Sequence, residues 1–295
     1  MHRWKGAGAP QVIAHSAVLL IHSPDRKGLV ARVSGLLYKY SANITHADQH
    51  LDRAERLFFM RVEWSLEGFD LPAFRQDFSA LALELEMQWS LKCLTDRRPR
   101  VAILVSQHLH CLADILHRHD TGELCCDIPL IVSNHTAAEP LASFHRIPFH
   151  HVPIRPESRT EDEASQRRLL QNVGVDLVVL ARYMQILTPA FVQEYPLRII
   201  NVHHSFLPAF VGARPYHAAF QRGVKLIGAT SHYVTEQLDE GPIIEQDVAR
   251  ISHRDQVEDL VRKGRDLERV VLSRAVSWHL ARRVLSYRNK TVIFD

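Results

Sequence analysis

From Val101 onward the chain alternates short, largely apolar runs with amphipathic stretches, and that rhythm restricts its fold more than any other feature. The runs are VAILVS, IPLIVSN, FHHVPI, DLVVLARY and RIINVHHS, separated by helical patterns such as HCLADILHRH and EDEASQRRLLQNV. A strand with one wet face alternates apolar and polar residues, whereas a strand covered on both faces is apolar throughout. Such strands joined by helices predict an α/β domain with a doubly wound, mostly parallel sheet. Ligands of these sheets bind beyond the carboxyl ends of the strands. Asn201, His203 and Ser205 follow the strand RII directly and are therefore expected at that rim.

The rhythm at the front is different. AVLLIH reads as a buried strand and SPDRKG as a turn and cap, followed by a helix with Leu29, Val33, Leu36, Leu37 and Tyr40 on one face. SANITHADQHL and LFFMRVEWSL read as strands, LPAFRQDFSALALEL as a helix with Pro72 in its first turn, and Met87 to Leu91 as a last strand. The order strand, helix, strand, strand, helix, strand is the ferredoxin-like split βαβ pattern. TDRRPR, Thr95 to Arg100, is charged and aperiodic and holds a proline, which puts the expected domains at 1–94 and 95–295. Near the end, Val257, Leu260, Val261, Leu267, Val271 and Val276 mark a long helix, with a break expected at Gly264.

Charge and composition exclude some function classes. The 36 basic and 33 acidic residues are interspersed, with no basic tail or stripe, so nucleic acid is not an implied partner. No apolar run reaches the roughly 20 residues of a membrane span. The opening MHRWKGAGAPQVIAHS lacks the apolar core of a signal peptide, which predicts a cytoplasmic protein. Cys93, Cys111, Cys125 and Cys126 do not stand at zinc-ligand spacings and are expected to be small buried hydrophobes. The 19 histidines include HLHC, HHV and NVHH, but these are scattered over several elements, and zinc needs a closed ligand set. No metal is expected.

The front pattern, with SPDRKGLVARVSGLLYKYSANI, resembles an ACT domain. That resemblance implies a regulatory module that pairs with copies of itself and binds a small amino acid, with Asp25, Gly28 and Asn43 at the ligand-contacting positions. The same residues have a local reading: Gly28 allows a positive φ in the turn, and Asn43 closes the helix at its C′ position.

NVHHSFLPAF resembles the Asn-x-His-x-Ser motif of folate-dependent formyltransferases, and LIGATSHYVTEQLDEGPIIEQ resembles that family's second signature. Carried over position by position, the resemblance makes Asn201, His203 and Asp239 catalytic and gives Thr230, His232 and Ser205 supporting places. It puts Met184, Gln185, Ile186 and Leu187 along the folate pocket, with Val234, Thr235 and Glu236 on the opposite wall. The chemistry suits these residue types. Attack on a formyl carbon creates a tetrahedral oxyanion, which an amide and a protonated imidazole stabilise by donating hydrogen bonds. Asn201 and His203, one residue apart on an extended segment, point to the same side. A nearby carboxylate favours the protonated imidazole and relays protons through water.

A formyltransferase acting on glycinamide ribonucleotide needs a glycine-rich loop to cradle the phosphate. Here the loop after the first strand, SQHLHC, has no glycine and carries His108 and His110, so water is the acceptor most easily supplied. With the ACT-like front and the segments IPFHHVPI, GVDLVVLARYMQIL, FVGARPYH and NKTVIF, the chain resembles the formyltetrahydrofolate deformylase family. The resemblance implies hydrolysis of 10-formyltetrahydrofolate to formate and tetrahydrofolate without a cofactor, methionine and glycine as effectors, and a homotetramer. The alternative is formyl transfer to an amino-group acceptor. What Arg214 and Ser231 do to the pocket is left open.

Overall fold

The computed structural model describes residues 16–94, 97–209 and 215–295. Thr95 and Asp96, at the start of the expected linker, and Arg214 lie outside the described residues, as does the opening segment before Ser16. The chain divides into two compact units, one reaching to Arg97 and the other starting at Arg98.

In the first unit the elements are β1 (Ser16–Pro24), α1 (Leu29–Lys39), β2 (Ile44–Asp52), β3 (Leu57–Ser65), α2 (Leu71–Glu84) and β4 (Gln88–Leu94). All paired strands are antiparallel, in the order β2-β3-β1-β4. Leu29, Val33 and Leu37 of α1 and Phe74, Phe78 and Leu81 of α2 form one core with Leu19, Ile21, Met60 and Val62 of the sheet. Asp70 caps α2 by accepting the Ala73 N–H at 3.0 Å, with Pro72 in the first turn where its missing donor is not needed. Gly28 begins α1 at φ +90°, a conformation that favours glycine. The helix closes differently from the expected Asn43: the left-handed residue is Ser41, at φ +57°. Asp25, Gly28 and Asn43 are all exposed.

The second unit contains β5 (Arg100–Val105), α3 (His110–Asp120), β6 (Asp127–Ser133), α4 (Glu139–Phe144), β7 (Phe149–His151), α5 (Arg159–Asn172), β8 (Leu177–Ala181), α6 (Pro189–Glu194) and β9 (Ile199–His203). It continues with α7 (Pro215–Arg222), β10 (Leu226–Tyr233), β11 (Ile243–Arg250), α8 (Val257–Leu280), β12 (Val284–Tyr287) and β13 (Lys290–Ile293). The large sheet has the order β11-β10-β9-β8-β5-β6-β7; β9 through β7 are parallel, β10 is antiparallel to β9, and β11 is antiparallel to β10. Alternate residues of β5 separate onto the two faces. Val101, Ile103 and Val105 join the α3 and α8 side chains, while Ala102 and Leu104 join Leu170, Phe191 and Val192 of α5 and α6. This two-sided burial accounts for the continuous apolar strands.

Two further expectations need correction. Asn201 and His203 do not follow a strand but lie within β9, because β10 pairs alongside and extends the ladder to His203. And α8 is not broken at Gly264. The glycine serves a close approach instead: a Cβ there would come within 2.1 Å of the Tyr216 ring. That ring cannot easily retreat, since its hydroxyl donates to Glu268 Oε1 at 2.7 Å. No helix of the described residues is long and apolar enough to cross a membrane.

Overpacking of a held ring typically costs about 1–3 kcal/mol, more than the roughly 1 kcal/mol that alanine gains over glycine in a helix. Gly264→Ala is therefore expected to lower the urea unfolding midpoint; a midpoint at or above that of the wild type would contradict the contact.

Candidate active site

The antiparallel register sets His203 opposite Thr230 and Asn201 opposite His232. Because strand side chains alternate, Asn201, His203, Thr230 and His232 share the sheet face that carries α5 and α6. After Tyr233 the chain leaves the sheet, and the segment from Val234 to Asp239 folds back over these side chains. Val234 N–H donates to Ile199 O and Tyr233 N–H to Pro242 O, each at 2.9 Å, which closes the base of the loop. Gly241 is required there: a Cβ would lie 1.8 Å from the Tyr233 carbonyl oxygen. Asn289, in the turn between β12 and β13, donates to the Glu240 carbonyl at 2.8 Å and Thr291 to that of Ile243 at 2.6 Å, which braces the loop from outside.

Asp239 adopts φ +56°, a left-handed conformation that aspartate tolerates better than most residues. Its carboxylate lies 3.2 Å from His203 Nδ1 and 3.6 Å from His232 Nε2. Hydrogen bonding by His203, then by His232, holds this carboxyl well below the usual carboxylate range against the opposing effect of burial. His232 donates Nδ1–H to its neighbour's carbonyl, Tyr233 O, at 2.9 Å, and the Asn201 amide reaches His232 Nε2 at 3.3 Å. His203 Nε2 is buried and has no hydrogen-bond partner among the described residues, although the ring's other nitrogen is held by Asp239. A polar atom in that state is available to a reacting group.

These groups line a cavity of about 300 Å³. One wall is the stretch after β8, with Arg182, Tyr183, Met184, Gln185, Ile186 and Leu187; the other is Val234, Thr235, Glu236, Gln237 and Leu238. The structure thus brings Asn201, His203, His232 and Asp239 together with both sets of expected wall residues. At its mouth Met184, Ile186 and Leu238 are 50%, 56% and 58% exposed. Thr230 and Ser205 do not line the cavity. The buried Thr230 hydroxyl donates to Ser205 O at 2.8 Å and accepts from Leu207 N–H at 3.0 Å, fixing the chain that leaves β9. Ser231 is buried on the opposite face of β10 and does not reach the cavity either.

A buried ionic group beside the cavity escaped the sequence reading. Glu268 Oε2 lies 2.7 Å from His110 Nε2 and 3.4 Å from Arg182 Nε, and its other oxygen accepts from Tyr216. Burial pushes its carboxyl up, but the His110 hydrogen bond and the Arg182 charge more than offset this, and it ends below the ordinary value. His108, next to this group, is lowered chiefly by burial and then by the Arg182 charge. The legible signal was a glutamate on the buried stripe of α8, between Gly264 and Val271. His110, Cys111 and Glu268 are also the one set among the described residues close enough together to share a metal ion. Of the cysteines, Cys111 and Cys126 are buried, but Cys93 is only half-buried and Cys125 is exposed, contrary to expectation.

Residues 99–276 match the Formyl transferase family and residues 17–66 the ACT domain family. A formyltetrahydrofolate deformylase of Synechocystis is 54% identical over 281 residues, covering 95% of this chain and 98% of the relative. The crystal structure of a formyltetrahydrofolate deformylase from Pseudomonas syringae superposes with a TM-score of 0.91 at 49% identity, covering 95% of both chains. Glycinamide ribonucleotide transformylase 1 from Symbiobacterium toebii superposes with a TM-score of 0.64 at 30% identity and covers 68% of this chain and 96% of its own.

The depressed Asp239 carboxyl has a consequence for stability. It is ionised in the folded chain at acidity that would protonate it, near pH 3.9, in the unfolded chain. Its contribution is therefore present above about pH 4 and lost as pH falls through the folded-state value. The stability of the wild type relative to Asp239→Asn, read from urea midpoints, should fall between about pH 5 and pH 3; a pH-independent difference would mean the carboxylate is not held as described.

Proposed function

We infer the course of the reaction from the premise that the chain belongs to the formyltetrahydrofolate deformylase family, one member of which matches it at 54% identity over nearly its full length. The protein is a hydrolase that converts 10-formyltetrahydrofolate to formate and tetrahydrofolate. The observation that carries the mechanism is the buried, unpartnered His203 Nε2 beside the Asn201 amide, both facing one cavity.

In this reading water adds to the formyl carbon, and its carbonyl oxygen takes up negative charge. Asn201 Nδ2–H and protonated His203 Nε2–H donate to that oxygen, as preorganised donors that need no rearrangement when charge develops. Asp239 holds His203 through Nδ1, fixing the ring's orientation so that Nε2 faces the formyl oxygen. Being a weak base, the depressed carboxylate does not keep the proton that water loses. The proton passes through the Asp239 and imidazole group to N10 as the C–N10 bond breaks, and formic acid gives up its remaining proton as it leaves as formate. The folate ring is assigned to the walls formed by Met184 to Leu187 and Val234 to Glu236.

Water as acceptor is supported by the loop after β5. The transformylase relative matches 68% of this chain, and here the start of α3 carries His110 tied to buried Glu268 in place of a bare glycine loop. We propose that no metal takes part. The His110, Cys111 and Glu268 set is already engaged: His110, Tyr216 and the Arg182 cation occupy the carboxylate, and Arg182 opposes a second positive charge. The unpaired cysteines support a cytoplasmic setting. The ACT-type unit supports amino-acid control through the exposed Asp25, Gly28 and Asn43, with methionine and glycine as effectors, and assembly as a homotetramer.

Removing one oxyanion donor typically lowers rate by about 10²–10³, so Asn201→Ala and His203→Ala are each expected to lower formate release from 10-formyltetrahydrofolate by that factor. A folded variant within about threefold of wild type would remove that residue from the mechanism. For the front unit, methionine and glycine should shift the same rate in wild type and lose their effect in Asp25→Ala, while light scattering should report a tetramer. Indifference to both amino acids, or a monomer, would overturn the corresponding part.

A further inference from the structure

The α5 helix carries buried polar side chains that the reaction does not use. Glu163 is 4% exposed and Gln166 is fully buried. With Arg159 they stand at i, i+4 and i+7, on one face of the helix. All three reach the same target, the irregular stretch from Tyr183 to Thr188 that forms one cavity wall. Arg159 donates to the Ile186 carbonyl. The Glu163 carboxylate accepts the Thr188 N–H at 3.1 and 3.2 Å and also the Thr188 hydroxyl. Gln166 Nε2 donates to the Tyr183 hydroxyl at 2.8 Å. From the opposite side, the Ser106 hydroxyl accepts the Met184 N–H at 3.0 Å.

Among the described residues this stretch pairs with no strand, and the Met184 and Thr188 N–H groups and the Ile186 carbonyl take side-chain partners instead. A buried carboxylate is costly to keep where leucine would pack as well. Among the described residues no cation stands against Glu163, and Thr188 alone meets it. We propose that α5 is the positioning element of the folate wall, with Glu163 as its central residue: it holds the Met184 to Leu187 backbone in the shape that receives the ring. The inference rests on the folate reading of this cavity. Glu163 touches no reacting atom, so its effect falls on binding rather than on the chemical step.

The test compares wild type with Arg159→Met, Glu163→Gln and Glu163→Leu, measuring kcat and KM for formate release and the equilibrium Kd for tetrahydrofolate. Glutamine keeps an acceptor for the Thr188 N–H and presents an amide that its hydroxyl can accept, so it should stay within about threefold of wild type. Leucine leaves the Thr188 N–H unpaired and should raise KM and Kd about tenfold, with kcat within about threefold. Arg159→Met changes an exposed side chain and should raise both constants about fivefold, beyond the threefold band that counts as unchanged. Wild-type KM and Kd in folded Glu163→Leu, or a loss confined to kcat, would overturn the proposal. If the leucine variant does not fold, Arg159→Met decides: unchanged constants refute the clamp. A wild-type protein that neither binds tetrahydrofolate nor releases formate would sink the folate reading itself, and the clamp's role with it.

Discussion

The pairing of β10 against β9 is the constraint on which the pocket depends. It is antiparallel in a sheet whose other inner pairs are parallel, and its register matches His203 to Thr230 and Asn201 to His232. A slip of one residue would turn every side chain of β10 to the other face. His232 would then enter the core beside α8, and Ser231 would meet Asn201. Residues about 30 apart in sequence become one polar group because a single ladder is in register, and the burial of Tyr233 and Ile227 on either side holds that register.

Much of this was legible in the residues. Continuous apolar strands gave away two-sided burial, and the β5 side chains divide between two cores as that reading requires. The cavity residues were legible too, because each belongs to a compact motif. What escaped reading is what only packing decides. Gly264 looks like a helix breaker, yet its helix runs on and the bare backbone admits Tyr216. Asn43 looks like a helix closer, but the chain turns earlier, at Ser41. Asn201 and His203 looked as if they followed a strand, since periodicity shows where apolar residues stop and not where a partner strand continues the ladder. Glu163 and Gln166 read as ordinary polar positions of a charged helix, and their partners lie about 20 residues away on a stretch with no period.

Two buried carboxylates show how differently such groups are kept. Glu268 is neutralised by Arg182 and bonded by His110 and Tyr216, and it ties α3, α7, α8 and the start of the stretch after β8 together behind the cavity. Among the described residues Glu163 is held by hydrogen bonds without an ion pair, from an N–H and a hydroxyl of one residue. Removing either without replacing its bonds would strand buried donors, whose desolvation is the larger share of the loss. Asp239 is a third case: partly open, held by the His203 imidazole with that of His232 close by, and carried on a loop whose base admits nothing larger than glycine at 241.

The apolar side chains at the mouth carry a thermodynamic signature. Met184, Ile186 and Leu238 stand half in water on opposite sides of the opening. An occupant that lies between them strips that hydration, so association proceeds with a negative heat-capacity change, and its enthalpy grows more favourable as temperature rises. The polar groups deeper in the cavity orient the occupant, while the drying of its rim sets how affinity responds to heat.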